Sequence, residues 1–95
     1  MVQEKKKWSH GPVIDYECAR ETIGDMISIY VAQIAEEENK PNPDQSKLDE
    51  LEAVCRKLGE ERNRLHVDDQ VHVKRINDIY GAKVRAWRDR DRGCA

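Results

Sequence analysis

The sequence predicts an all-α protein, and two observations carry that prediction. Apolar residues recur about every 3.6 positions from Leu51 to Trp87, which is the period of one helix face. Of the 95 residues, 38% are charged, only 5% are aromatic and none is Phe. This composition is typical of amphipathic helices and not of a β-sheet with a wide core. The length suits a single domain with a thin core.

The first predicted helix runs from about Asp15 to about Asn39. Asp15 is a suitable N-cap for it. The preceding residues, 1–14, have no apolar period, and we expect them to form a flexible tail. The apolar residues between Tyr16 and Ile34 span about half the helix circumference, which indicates contact with two neighbouring helices.

A loop is predicted after the first helix. Pro41 and Pro43 lack backbone donors, and they disfavour helical backbone angles in the residues before them. Ser46 is the predicted N-cap of the next helix. A loop this short makes the two helices antiparallel neighbours. The apolar register then continues without a proline to about Arg90, which predicts one long helix.

The predicted domain, 15–92, is therefore an antiparallel helical hairpin with a short first helix and a long second helix. Because the short helix leaves part of the long one uncovered, we expect two copies to join, in coiled-coil fashion, as a four-helix bundle. An alternative places a break near Asp68 or Asp69, since either residue can cap a new helix. Residues 70–90 then fold back and give a three-helix bundle.

The uncovered part of the second helix is the predicted interaction surface. Burying a large apolar side chain contributes about 1.5–3 kcal/mol, so we expect a homodimer. An unidentified protein partner can use the same surface. The predicted stripe consists of Val73, Ile76, Ile79, Tyr80, Val84 and Trp87.

Charge is distributed unevenly, although the formal net charge is only −2. Residues 15–45 contain eight acidic and two basic side chains, whereas residues 71–95 contain seven basic and three acidic ones. Basic side chains close together on one helix side can contact phosphates. The alternative function is therefore a nucleic-acid-binding accessory protein, which is not favoured because acidic residues weaken the field. The residues concerned are Arg85, Arg88 and Arg92.

Catalytic or metal-binding patterns are weak in this sequence. His66, Asp69 and His72 recur at intervals of three, but each step rotates the side chain by about 60° away from the last. A helical hydrolase built on these residues is the weakest hypothesis, and we expect no enzymatic activity, no metal and no cofactor. The carboxylates of Glu36–Glu38 are expected to form a solvated helix end.

The expected location is the cytoplasm. The three cysteines include no CxxC pair and are odd in number, so they predict reduced thiols. No apolar segment follows the basic residues near the N-terminus, and no stretch approaches the ~20 apolar residues of a membrane span. The sequence thus predicts a small cytoplasmic helical protein without membrane contact, acting through self-association and protein–protein interaction.

Overall fold

The structure, a computed structural model, describes residues 11–94, with side chains through Arg90. Three helices occupy most of this range: α1 (Pro12–Glu38), α2 (Gln45–Arg64) and α3 (Gln70–Cys94). The described residues contain no strand, which confirms the all-α prediction. Most of the predicted tail, residues 1–10, lies outside the described residues.

Helix α1 begins three residues earlier than predicted, at Pro12. Proline suits the first helical position, because its fixed φ is already helical and the N–H it lacks has no partner there. Gly11 is the N-cap, so the prediction of Asp15 as the cap was wrong. Asp15 lies in the first turn, where the helix dipole favours an anion. The helix ends at Glu38, close to the predicted end.

A buried carboxylate organises the connection between α1 and α2. Glu37 is only 3% exposed and accepts hydrogen bonds from the Asp44 backbone N–H and from Lys40 Nζ, both at 2.9 Å. Lys47 Nζ lies 3.5 Å from the same carboxylate. The bond from Asp44, followed by the one from Lys40, lowers the pKa of Glu37. The predicted solvated end was thus wrong for this residue, because the loop folds a backbone donor onto it.

Helix α2 is capped by Asp44, whose side chain accepts a hydrogen bond from the Lys47 backbone N–H at 3.3 Å. The prediction of Ser46 as the cap was therefore wrong. Both residue types are good caps. Asp44 is the N-cap because its backbone is extended, whereas the residues from Gln45 onward are helical.

The prediction of one long second helix was also wrong. The chain leaves α2 at Leu65, whose φ of −70° and ψ of 131° are extended, and α3 begins at Gln70. The Asp69 side chain accepts a hydrogen bond from the His72 backbone N–H at 3.1 Å and so caps α3. Leu65 is nevertheless buried in the core. The apolar register continues across the break because Leu65 stays a core residue without belonging to a helix.

Helix α1 packs along both other helices, whereas α2 and α3 contact each other little. With 27 residues α1 is the longest of the three, so the prediction of a short first helix was wrong. The expected contact of its apolar face with two neighbours is confirmed. The three-helix alternative was right about the break near Asp69. The three-helix bundle itself is not confirmed, because α2 and α3 contact each other little.

Polar contacts define the direction of α3. Asn77 Nδ2 donates to the Asp15 carbonyl at 3.1 Å near the start of α1, and Arg88 pairs with Asp25 further along. Helix α3 therefore runs in the same direction as α1, and α2 runs against it. The core between the helices consists of Ala19, Ile23, Met26, Leu58, Leu65, Val73, Ile76 and Val84.

Candidate protein-interaction surface

Most of the stripe predicted to face a second copy is covered within the chain. Tyr80 packs against the core, Trp87 lines a small cavity beside Met26 of α1, and Ile79 alone is largely exposed, at 47%. The premise of an uncovered stripe is lost because α3 folds back onto α1, and self-association itself stays a prediction. Three members of the stripe are at most 4% exposed: Val73, Ile76 and Val84.

The basic end of α3 is partly engaged by the rest of the molecule. Arg88 Nη2 lies 3.1 Å from Asp25 Oδ2 of α1, in an exposed ion pair that contributes little to stability. The Arg90 guanidinium lies 5.3 Å from the centre of the Trp87 ring system. Arg85 is exposed, and the side chain of Arg92 lies outside the described part. Because the Arg92 side chain lies outside the described part, joint phosphate binding by these three residues stays a prediction.

Glu61 links α2 to α3 through both of its carboxylate oxygens. Oε1 accepts a hydrogen bond from the Tyr80 hydroxyl at 2.7 Å, and Oε2 lies 3.1 Å from His72 Nε2. Burial raises the pKa of Glu61, but hydrogen bonds with Tyr80 and His72 outweigh it and leave that pKa below its ordinary value. Burial, followed by the bond to Glu61, raises the pKa of Tyr80 to about 12.

The three residues considered for metal binding do not converge. Asp69 caps α3, His72 contacts Glu61, and His66 is exposed in the α2–α3 connection. Among the side chains that the structure describes, residues 11–90, no three His, Cys, Asp or Glu residues are grouped closely enough to hold a metal ion.

The side of α1 turned away from the core is exposed along the whole helix, and we call it the outer face. Apart from two adjacent pairs, its successive members are three or four positions apart, so they lie on one side of the helix. Val13, Ile14 and Val31 are exposed by 58%, 43% and 52%. The outer face consists of Val13, Ile14, Glu17, Glu21, Gly24, Ser28, Val31, Ala32 and Ala35.

Residue types on the outer face follow a simple order along the helix. Apolar residues lie at both ends, two carboxylates follow the N-terminal end, and small residues occupy the middle. Glu17 and Glu21 have no hydrogen-bond or ion-pair partner among the described residues. The face thus combines exposed apolar surface with carboxylates that the fold does not use.

A shallow groove crosses the middle of the outer face. Its floor is formed by α1 around Gly24 and Ser28, and its lining also includes Glu21 of α1, Arg62 of α2 and Arg88 of α3. The Nε atom of Arg62 is buried and has no hydrogen-bond partner in the described structure. The guanidinium of Arg62 is therefore a donor that the described fold leaves unused.

Gly24 has no packing role among the described residues. A Cβ atom built on it would meet nothing within 4 Å. Glycine inside a helix costs about 0.5–1 kcal/mol relative to alanine. The outer face was not predicted from the sequence, although the spacing of Gly24, Ser28 and Ala32 at intervals of four is the signal that could have revealed it.

None of the helices, as far as the structure describes them, combines the length and the apolarity that crossing a bilayer requires. Compared with models of known protein families, with characterised proteins and with solved structures, the chain gives no significant match.

Proposed function

We propose that this protein is a non-catalytic interaction protein, which binds another protein chain through the outer face of α1. The observation that carries the proposal is that α1 exposes large apolar side chains on its outer face, at Val13, Ile14 and Val31. Apolar side chains of a helix normally face the core, so this exposed side offers a surface that a partner can cover. Here α2 and α3 cover the side that holds Ile23, whereas Val31 on the outer face is 52% exposed.

The polar clusters of the described residues support a binding role over a catalytic one. The Glu37 carboxylate holds the α1–α2 loop, the Glu61 carboxylate links α2 to α3, and the Asp69 carboxylate caps α3. Each of these groups has a structural task that accounts for its position. The carboxylates of the outer face have no such task within the described fold.

The proposal includes a cytoplasmic location and a second copy of the chain as one partner. Nucleic acid is less well supported as a partner, because Arg88 already pairs with Asp25. Glu17 and Glu21 on the adjoining outer face would also repel a polyanion. Retention on heparin that persists at physiological salt would favour the nucleic-acid alternative.

Photo-crosslinking in cells tests the proposed function. The substitution Val31→benzoylphenylalanine places a photo-reactive side chain on the outer face, and the matched control is the same substitution at Glu50, an exposed position of α2. Irradiation should give a discrete covalent adduct from position 31 and none from position 50. Absence of an adduct at position 31, in protein that retains its helicity, would contradict the proposal.

A further inference from the structure

We infer that the outer face of α1 binds a second copy of this chain, antiparallel and with the two Gly24 residues opposite each other. This inference rests on the proposed function, because it names the occupant of the same face. The order of residue types along the face, the unpaired charges beside it and the open space at Gly24 support it.

The first argument is symmetry. An antiparallel two-fold arrangement centred on Gly24 sets the N-terminal end of each outer face against the C-terminal end of the other. Val13 then lies opposite Ala35 of the second copy, and Val31 lies opposite the aliphatic stem of Glu17. The same patch on both copies is therefore complementary to itself, as a two-fold interface requires.

Charge selects the antiparallel orientation over the parallel one. A parallel pair would place Glu17 against the same carboxylate of the second copy, and likewise Glu21. The antiparallel pair separates the two Glu17 positions by about 20 Å and the two Glu21 positions by about 9 Å along the helix axes, given a rise of about 1.5 Å per residue. It also brings Glu21 near the Ser28 hydroxyl of the second copy, which can donate a hydrogen bond.

The groove supplies the closest approach of the two backbones. Glycine permits such an approach because it has no Cβ, and the space above Gly24 is open. Arg62 lies at the side of this groove, and its half-buried guanidinium has no hydrogen-bond or ion-pair partner among the described residues. The Glu21 carboxylate of the second copy enters the same region and offers an acceptor to the guanidinium. Two features without a role in the described monomer thus acquire one in the dimer.

Sedimentation velocity of the unmodified protein is the first test, and it needs no substitution. The inference expects a species of twice the 11.1 kDa chain mass that grows with concentration across the micromolar range. A protein that stays monomeric at high micromolar concentration overturns the inference. If the position-31 adduct in cells then contains a different protein, the proposed function stands while the inference fails.

Engineered disulfides test the register. Native thiols are first removed by Cys18→Ser, Cys55→Ala and Cys94→Ser, and circular dichroism checks that helicity is kept. Disulfides form only between Cα atoms within about 7 Å, so they report close approach. Gly24→Cys should cross-link to itself on mild oxidation, about ten-fold faster than Val31→Cys alone, because only the first is held against its own copy.

A mixture of two variants completes the register test. Val31→Cys mixed with Glu17→Cys should form the mixed disulfide readily, since these positions face each other in the antiparallel pair. Faster self-cross-linking of Val31→Cys than of Gly24→Cys would show a parallel pair and overturn the inferred orientation. Equal slow oxidation of all variants would overturn the interface itself.

Discussion

The two faces of α1 are both rich in small or apolar residues, yet the structure treats them in opposite ways. On the inner face, Ala19 and Ile23 are fully buried and Met26 is nearly so, between α2 and α3. On the outer face, Val31 stays half exposed and Gly24 has open space above it. The inner face therefore forms the core of the chain, and the outer face is left uncovered for the association that we propose.

The largest expected effect comes from the inner face. Ile23→Ala removes a fully buried side chain and should lower the free energy of unfolding by about 2–5 kcal/mol. The matched outer-face change, Val31→Ala, should alter it by at most about 0.5 kcal/mol at concentrations where the protein is monomeric. Urea denaturation of both variants measures the difference. Similar losses for the two would remove the distinction between the faces.

The stability that the α1–α2 loop contributes should depend on pH through Glu37. The folded-state pKa lies below the ordinary value of 4.5, so the stabilisation is present above 4.5 and is lost as the pH falls through the folded value. Glu37→Gln should lower stability at neutral pH and flatten its decline in acid. Glu38→Gln, at an exposed neighbour, is the control. If the free energy of unfolding had the same dependence on pH in both variants, the role of Glu37 would be contradicted.

A smaller effect is expected where α3 is held to α2. Tyr80→Phe removes one hydrogen bond to Glu61 and should cost about 0.5–1.5 kcal/mol. It should also remove, from the absorbance titration of the tyrosines, the step with a midpoint at about pH 12. Tyr30→Phe is the control and should keep that titration step, with circular dichroism confirming that the helices persist. Loss of the step in both variants would disprove its assignment to Tyr80.

The two breaks between helices show what the sequence could and could not predict. The first break was predictable because Pro41 and Pro43 exclude a helix by their covalent structure. The second has no proline or glycine, and Leu65 keeps the apolar period while its backbone leaves the helix. Only tertiary packing distinguishes that break from a continuous helix, although Asp69 carried a visible cap signal.

The candidate surface was less predictable than the helices. The stripe containing Val73 was correctly identified as apolar, but its cover depends on α3 folding back, which the sequence left as an alternative. The roles of Glu37 and Glu61 depend on neighbours distant in the sequence. Periodicity alone does not say which apolar side of α1 stays uncovered, because that depends on where α2 and α3 lie.

The effect of Gly24→Ala on folding and on association, measured in the same sample, separates the roles of the two faces of α1. The added methyl group meets nothing in the described monomer and favours the helix, so the free energy of unfolding should rise by about 0.5–1 kcal/mol. The same methyl group should weaken self-association in sedimentation velocity, because it occupies the closest approach of the two copies. Greater stability with unchanged association, or a parallel loss of both, would contradict the separation of the two faces.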